Sequence, residues 1–492
     1  MQISSYRTLI AIAFAVLFSC SGHARQMPDM PHDRSSSNAQ HEHTPMTGVA
    51  ASEPQMGRAQ QNAQGKLFTL EDAQKLASES NPTLRQAEAA IRAAKARQEQ
   101  AGLYPNPTIG YTGDEIRGGS TAGGKQGFFA QQTIVTGGKL ASNRKVFLEE
   151  MQIAQLEAEE QKIRVQTAIR TGFFRVLAAQ ELLDARRDLA NIEQEYALTE
   201  RRLGNTGQAD ETEILQAEIS ARRQKLGTHM QENALLEQWR ALAAVIGKPD
   251  LPLRIVFGDL RTGWPELNEQ QITDKIAAEC PATRIAATAA LRAEAEILQA
   301  RRAAIPDIQL RGGLQYNNEP IGSVPPHATG WEGLADVAVQ IPIFNHNQGN
   351  VSVAQAESER AKLEMQRVAL TLRQRSTSIV DEYANAKLMA MEYQEELLPR
   401  AKRAYTLMNE KYGQMLASFS RVIELQRTLF QLQCEYIQAL ETVWTTGIAL
   451  EGFLLTDGLE SPARPGEVDR PVREINVPRL EITTAPGPGL TP

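Results

Sequence analysis

Apolar residues recur at helical spacing along two very long stretches of the chain, residues 140–203 and 351–412. Gly172 and Pro399 are the only Gly or Pro residues inside them. Each stretch therefore predicts a helix about 95 Å long at 1.5 Å per residue. Heptad-spaced residues predict packing of helix on helix: Leu182, Leu189, Tyr196 and Leu203 in one, and Leu372, Ile379, Ala386 and Tyr393 in the other. Because no compact globular core accommodates such helices, we expect them to pack against one another as a rod or tube.

Two pairs of shorter segments alternate apolar and polar residues instead. The alternation is clearest in residues 308–316 and 336–341, and residues 108–112 and 128–135 form the corresponding first pair. Loops rich in Gly or Pro are predicted at Gly118–Gly127 and Pro320–Gly330. The pattern predicts two hairpins with strands of about ten residues, the length of a tilted transmembrane strand. A small soluble sheet with one face on a core is the alternative.

The order of elements occurs twice. A helix predicted over residues 70–102, broken at Asn81-Pro82, precedes the first strand pair, and one over residues 272–304 precedes the second. Pro105 and Pro306, at the start of each strand pair, lie 201 positions apart. Gly204 and Gly413, where each long helix turns back, lie 209 apart. The similar offsets predict an internal duplication.

The N-terminus has the features of an export signal. Arg7 precedes a short apolar core that ends in Leu17-Phe18-Ser19-Cys20, which resembles a bacterial lipobox. We predict a signal peptide over residues 1–19 and lipidation of Cys20. Ordinary cleavage near Gly22 or Ala24 is the alternative. No later apolar run reaches the roughly 20 residues of a membrane helix.

The repeated units resemble the TolC-type outer-membrane efflux family from Leu67 to about Leu455. Four segments carry the resemblance, and it is their order and duplication that make it specific: Tyr104–Pro107, Thr136–Lys139, Ile341–Asn345 and Gln426–Leu429. The chain is similar in particular to the heavy-metal, CzcC/CusC-like branch of lipoproteins that work with RND pumps. The resemblance implies a mainly α fold with a small transmembrane β part, in which the duplicated helical hairpins form an α-barrel.

Four strands cannot close a barrel alone. Two copies would supply eight strands and three would supply twelve, and the resemblance implies a homotrimer with a 12-stranded β-barrel. It also implies an outer-membrane location with a large periplasmic portion, a periplasmic adaptor (membrane fusion protein) and an inner-membrane RND-type pump. The resulting function is a passive exit duct for metal cations of the copper/silver or zinc/cobalt/cadmium type. Export of drugs, other organic substrates or proteins by type I secretion is the alternative.

The predicted boundaries follow these elements. Residues 20–66 form a lipid-anchored tether, 67–247 the first repeat, 248–270 a linker near the equatorial region, 271–455 the second repeat, and 456–492 a Pro/Gly-rich tail.

The family places its gate and adaptor contacts at the inner helical tips. The residues predicted there are Gly204, Asn205, Gly207, Gly413, Gln414 and Ser418. We expect the glycines to take left-handed turn conformations. Asp210, Glu211 and Glu213, repeated by symmetry, would form a negative ring that favours cations. The simpler interpretation is that these acidic residues begin a returning helix and complement its dipole.

The tether contains Met and His residues in two short clusters. Thioether and imidazole groups suit copper(I) or silver, and imidazole also suits zinc and copper(II). The candidate metal ligands are Met27, Met30, His32, His41, His43 and Met46. A solvated linker of chance composition is the alternative.

Composition excludes several other classes. A net charge of −7 gives no support for nucleic-acid binding. The three cysteines, Cys20, Cys280 and Cys434, have no metal-binding spacing and predict no disulfide framework. No nucleophile–base motif, phosphate loop or dinucleotide fingerprint is present, so we expect no catalytic residues and no cofactor. A non-channel periplasmic coiled-coil scaffold remains the alternative from another class.

The lipobox generates a direct prediction. A Cys20→Ala variant should lose metabolic fatty-acid labelling, because the thiol that carries the acyl chain is gone. Unchanged labelling would refute lipidation at this position.

Overall fold

The computed structural model describes residues 67–114, 124–207, 209–321, 327–414 and 416–460. The signal segment, Cys20 and the Met/His tether lie outside these residues, as does most of the predicted C-terminal tail. Within the described residues, no helix is both long and apolar enough to cross a membrane.

The first repeat contains four helices and two strands. Helices α1 (Leu70–Ser80) and α2 (Pro82–Gln100) lead to strands β1 (Thr108–Asp114) and β2 (Lys125–Ile134). The long helix α3 (Lys139–Asn205) and the returning helix α4 (Glu211–Ile246) follow. Helix α3 has 67 residues, which corresponds to about 100 Å. The predictions of a break at Asn81-Pro82 and of a very long helix are confirmed.

The second repeat has the same order. Helices α5 (Glu269–Glu279) and α6 (Pro281–Ala303) precede strands β3 (Ile308–Ile321) and β4 (His327–Val339). Helix α7 (Gln348–Glu392) then continues through a π-turn at Tyr393–Leu397 into α8 (Leu398–Gly413), and α9 (Phe419–Glu451) returns.

Three boundaries differ from the predictions. The helix predicted over 272–304 is broken at Cys280, because Pro281 lacks an N–H and forces the preceding residue into an extended conformation (ψ 135°). The predicted loop at Gly118–Gly127 ends too late, and the predicted loop at Pro320–Gly330 is longer than the segment between β3 and β4. Strand β2 begins at Lys125, and β3 and β4 extend past a register shift between Asn317 and Pro320, where the irregularity accommodates proline in a strand.

The third difference is the π-turn in the second long helix. Pro399 removes one backbone donor and crowds the carbonyl one turn earlier, and the wider π-turn lies directly before it. The Tyr393 hydroxyl donates to Glu435 Oε2 (2.9 Å) and the Tyr436 hydroxyl to Gln394 Oε1 (3.0 Å), which ties the turn to α9. Beyond the turn, α8 buries none of its described residues.

The main core lies where both repeats meet. It includes Phe68, Phe173, Trp239, Leu372 and Leu440. The segment between α4 and α5 contributes Val256 and Leu260, and Val256 forms a parallel bridge with Phe68. Helix α3 contacts both α4 and α9 in the two hairpins. This main core thus joins the two repeats into one unit.

Gly247, which ends α4, offers a test of this packing. Its φ is +86°, and an added Cβ would lie 2.6 Å from the carbonyl oxygen of Ser80. Gly247→Ala should therefore cost at least about 1 kcal/mol from the left-handed backbone alone, and lower the thermal unfolding temperature of the detergent-purified protein. The control is Gly349→Ala in the first turn of α7, where nothing lies within 4 Å. Equal melting temperatures for both variants would contradict this packing.

Candidate functional site

At the first helical tip, a capping box lies at the N-terminus of the returning helix α4. Thr206 ends α3, and Gly207 (φ +74°) turns the chain toward α4. The Asp210 side chain accepts from the N–H of Glu211 (2.8 Å), and Glu213 Oε2 accepts from the Asp210 N–H (3.3 Å). These two carboxylates therefore satisfy helix N-terminal donors, as the simpler interpretation of the acidic residues predicts.

The acidic residues are also exposed. Asp210, Glu211 and Glu213 all face solvent in the single chain. The hydrogen bond from the Thr212 hydroxyl, with that from the Glu211 N–H, lowers the pKa of Asp210. This carboxylate stays ionised at neutral pH. The arrangement places negative charge at the outermost turn of α4 while the same groups cap the helix.

The left-handed conformation predicted for three tip glycines occurs at one of them. Only Gly207 has a positive φ; Gly204 and Gly413 lie within the last turns of α3 and α8. An added Cβ at Gly204 would overlap Ile214 Cδ1 of α4. The two helices therefore approach closely at Gly204, and the Ile214 side chain would have to shift to admit a larger residue. Nothing lies within 4 Å of the Cβ position at Gly413, and the structure does not explain that glycine.

The second tip is less strongly capped. Gln414 ends α8, and Ser418 precedes α9 without a side-chain cap; its hydroxyl lies 3.0 Å from that of Ser420. Aromatic rings connect this tip to the first hairpin. Phe419 packs between Tyr412 (5.0 Å between ring centroids) and Tyr196 of α3 (5.3 Å). The two tips thus share one apolar contact, although Asn205 and Gln414 take no part in it.

Near the tips, an ion pair with a buried carboxylate links the two helical hairpins; this contact between the hairpins is called the seam. Arg427 of α9 donates from Nε to Glu193 Oε1 (2.6 Å) and from Nη2 to Glu193 Oε2 (2.9 Å). Its Nη2 also donates to the Ser220 hydroxyl of α4 (2.8 Å). The Glu193 side chain is 0% exposed. The hydrogen bond from Arg427 to Glu193 raises the pKa of the guanidinium. Three helices from both repeats therefore meet at one charged contact.

Sequence reasoning did not assign roles to Glu193 and Arg427. They are 234 positions apart, and neither lies in the turn segments to which the pattern directs attention. Two signals were available: a charged residue within an otherwise heptad-like stretch of α3, and the presence of Arg427 in the segment Gln426–Leu429 that carries the family resemblance.

The four strands form the other part of the site. They make one antiparallel sheet in the order β1-β2-β3-β4, so β1 and β4 are free edges. The register aligns Tyr111, Phe128 and Leu314 on one face, and the next row on this face pairs Tyr316 with Trp331. Along the paired residues 108–114, 125–134, 308–317 and 330–339, the exposed large apolar side chains lie on this face: Ile109, Tyr111, Phe128, Ile134, Leu310, Leu314, Tyr316, Trp331, Val337 and Val339.

Charge is confined to the opposite face. Along the paired residues 108–114, 125–134, 308–317 and 330–339, the charged side chains are Asp114, Lys125, Arg311, Glu332 and Asp336, and all five share that face. The Arg311 guanidinium lies 4.1 Å from the centre of the Phe129 ring. The two faces therefore differ as a surface toward lipid and a surface toward water do.

The candidate metal ligands Met27, Met30, His32, His41, His43 and Met46, and Cys20, lie outside the described residues. Among the residues that are described, no group of three or more His, Cys, Asp or Glu side chains is arranged to hold a metal ion. Cys280 and Cys434 are both free thiols. Burial raises the pKa of Cys280 to about 12 and that of Cys434 to about 11.

The described architecture matches that of one family. The model of the outer membrane efflux protein family matches residues 74–248 and 274–454, one segment for each repeat. The chain belongs to this family.

Two curated relatives are named for different substances. The cobalt-zinc-cadmium resistance protein CzcC of Cupriavidus metallidurans is 22% identical over 392 residues, which cover 79% of this chain and 90% of the relative. The pyoverdine export outer membrane protein OpmQ of Pseudomonas aeruginosa is 25% identical over 318 residues, 61% of this chain and 63% of the relative.

Solved structures share the fold. CusC has a TM-score of 0.63 at 17% identity, over 78% of this chain and 91% of CusC. The outer membrane protein VceC of Vibrio cholerae has a TM-score of 0.61 at 15% identity, over 80% of this chain and 97% of VceC. The predicted fold class is therefore confirmed.

Removal of the Arg427 side chain should destabilise the contact between the two helical hairpins near their tips. Arg427→Leu leaves the buried Glu193 carboxylate uncompensated, which should cost about 3 kcal/mol, the lower end for breaking a buried pair, because Arg427 is half-exposed. Hydrogen–deuterium exchange of the adjoining turns of α3 and α9 should accelerate by about 100-fold.

A surface pair supplies the control for that experiment. Arg201 of α3 forms an ion pair with Glu218 of α4, but Arg201 is largely exposed. Arg201→Leu should therefore cost less than about 1 kcal/mol. The double variant Glu193→Met/Arg427→Met should recover most of the lost protection, since it leaves no buried charge. Equal exchange in the two single variants would show that the buried pair does not stabilise the seam.

Proposed function

We propose that the protein is the outer-membrane exit duct for metal cations in a tripartite efflux system. The chain belongs to a family of outer membrane efflux proteins. The main support for a duct is the separation of apolar and charged faces on the four-stranded sheet. In the proposed assembly three copies bring twelve strands into one β-barrel, with apolar faces toward lipid and charged faces toward water. The helical hairpins continue this barrel as an α-barrel in the periplasm.

The duct acts without bond-making and needs partners at its inner end. We propose that the tips formed by Gly204–Glu213 and Gly413–Ser418 meet a periplasmic adaptor, which connects the duct to an inner-membrane RND-type pump. Exposed backbone turns at both tips, and the unburied surface of α8, support this position. Acylation at Cys20 would hold the N-terminal tether on the membrane, and the barrel supplies the second membrane contact that stable anchoring needs.

Metal cations as cargo are supported by two observations. CzcC, a relative with coverage of most of both chains, is a cobalt-zinc-cadmium resistance protein. The three exposed carboxylates at the first tip would form a ring of nine after three-fold repetition, which favours cations. The Met/His tether would add soft ligands near the membrane.

Organic cargo is the second candidate, because OpmQ exports pyoverdine. Gene deletion distinguishes the two. Metal cargo predicts lower tolerance of copper, silver, zinc, cobalt or cadmium, and complementation by the intact gene should restore it. A gene lacking codons 27–46 tests whether the tether contributes. Lower tolerance only of antibiotics or detergents would favour organic cargo and contradict the metal proposal.

The entrance charges can be neutralised without removing the caps. Asn caps a helix as well as Asp does, and Gln replaces Glu in a capping box. In planar bilayers with a salt gradient, the variant Asp210→Asn/Glu211→Gln/Glu213→Gln should shift the reversal potential toward lower cation preference. Asp274→Asn on α5 is a control at an exposed ion pair away from the tip. An unchanged reversal potential would refute the charged entrance, and an absence of conductance in every form would favour a scaffold over a duct.

A further inference from the structure

The contact between helices α3 and α6 joins the first repeat to the second on the side of the helices nearer the sheet. Close to the sheet, Gln299 Nε2 donates to Asn143 Oδ1 (2.9 Å). Farther from it, Arg284 Nη1 donates to Glu159 Oε1 (2.9 Å). Residue numbers rise along α3 as they fall along α6, so the two helices are antiparallel and remain in step between these contacts.

Midway between these contacts, charged side chains are buried where the two helices meet. Glu150 of α3 is 7% exposed, and Arg97 of α2 donates from Nη1 to its Oε1 (3.2 Å). On α6, Arg292 Nη2 lies 3.0 Å from Glu296 Oε1, and the Glu296 side chain is 14% exposed. Two carboxylates from different repeats therefore lie in one buried contact, away from the tips and from the sheet.

Two buried atoms of this group have no hydrogen-bond partner among the described residues, Oε2 of Glu150 and Nε of Arg292. Because the helices are in step, Glu150 lies level with Arg292. A buried acceptor and a buried donor without partners are both costly, and more so when they are charged. Arg292 thus has two candidate carboxylate partners, Glu296 on its own helix and Glu150 on the facing helix.

The surroundings of Glu296 disfavour its charged form. Burial raises the pKa of Glu296 to about 7; Arg292 lowers it, and the carboxylates of Glu150 and of Glu357 on α7 raise it further. Glu357 itself lies 3.3 Å from Arg360 Nη1 of the same helix. Glu296 therefore exchanges its proton near neutral pH, where an ordinary glutamate is ionised.

We propose that Glu296 is a proton-controlled contact between the two repeats. When a proton from water binds the Glu296 carboxylate, the neutral side chain holds Arg292 less strongly, and the guanidinium turns to Glu150 of α3. When the proton leaves, Arg292 returns to Glu296, as in the structure, and a second buried carboxylate stands beside Glu150. The contact is therefore tighter at acidic pH and looser at alkaline pH. It forms within one chain, so the proposal does not depend on the duct.

Hydrogen–deuterium exchange of the detergent-purified, full-length protein tests this contact. After correction for the intrinsic pH dependence of exchange, local opening of α3 and α6 around Glu150 and Glu296 should increase about tenfold from pH 6 to pH 8, because the closed form binds the proton more tightly than the open form does. Glu296→Gln keeps the size of the side chain without its titration and should abolish this increase. The matched control Glu294→Gln, at an exposed ion pair with Lys362, should retain it.

Infrared difference spectroscopy follows the proton itself and does not require the helices to open. Between pH 6 and pH 8, the protein should lose a protonated carboxyl C=O band that is absent from Glu296→Gln. Glu150→Gln removes a like charge and should move the midpoint of this titration to lower pH, whereas Arg292→Gln removes the shared cation and should move it to higher pH. A carboxylate at Glu296 that is already ionised at pH 6, midpoints that move in the same direction, or equal pH dependence of exchange in Glu296→Gln and the unsubstituted protein would overturn the proposal.

Discussion

A sheet that faces lipid must pair all its backbone N–H and C=O groups, because hydrocarbon offers them no hydrogen bonds. Four strands pair only internally and leave the outer edges of β1 and β4 open. This constraint explains why the proposed duct needs several copies of the chain. The rest of the molecule extends the closed wall away from the membrane.

The two repeats of one chain meet both at the sheet and near the helical tips. Within the chain, β2 and β3 meet beside the ion pair of Lys139 and Asp307. At the opposite end of the helices, Glu193 and Arg427 join the two repeats beside the tips. The two repeats are thus joined by one ion pair beside the sheet and by another beside the tips. The long helices α3 and α7 connect the two regions.

Much of this could be predicted from sequence because the periodicities are long and seldom interrupted. Helix α3 and the alternation in β3 follow from spacing alone, and the Asp210–Glu213 capping box follows from a local motif. The break at Cys280 could also have been predicted from Pro281, but the helical pattern continues on both sides of it and favoured one helix. The extension of β3 past Asn317 depends on a bulge that tolerates Pro320. The pair Glu193–Arg427 depends on tertiary packing between distant helices, which no local pattern encodes.

The central claim is that the uncharged face of the sheet meets lipid, and Trp331 reports on it directly. Trp331 lies on that face and is 72% exposed, whereas Trp239 and Trp444 are buried in the core. In vesicles of lipids with brominated acyl chains, the account predicts quenching of Trp331 fluorescence, and loss of the quenched component in Trp331→Phe. Quenching of Trp331 by aqueous iodide, with no effect of the brominated lipids, would contradict it.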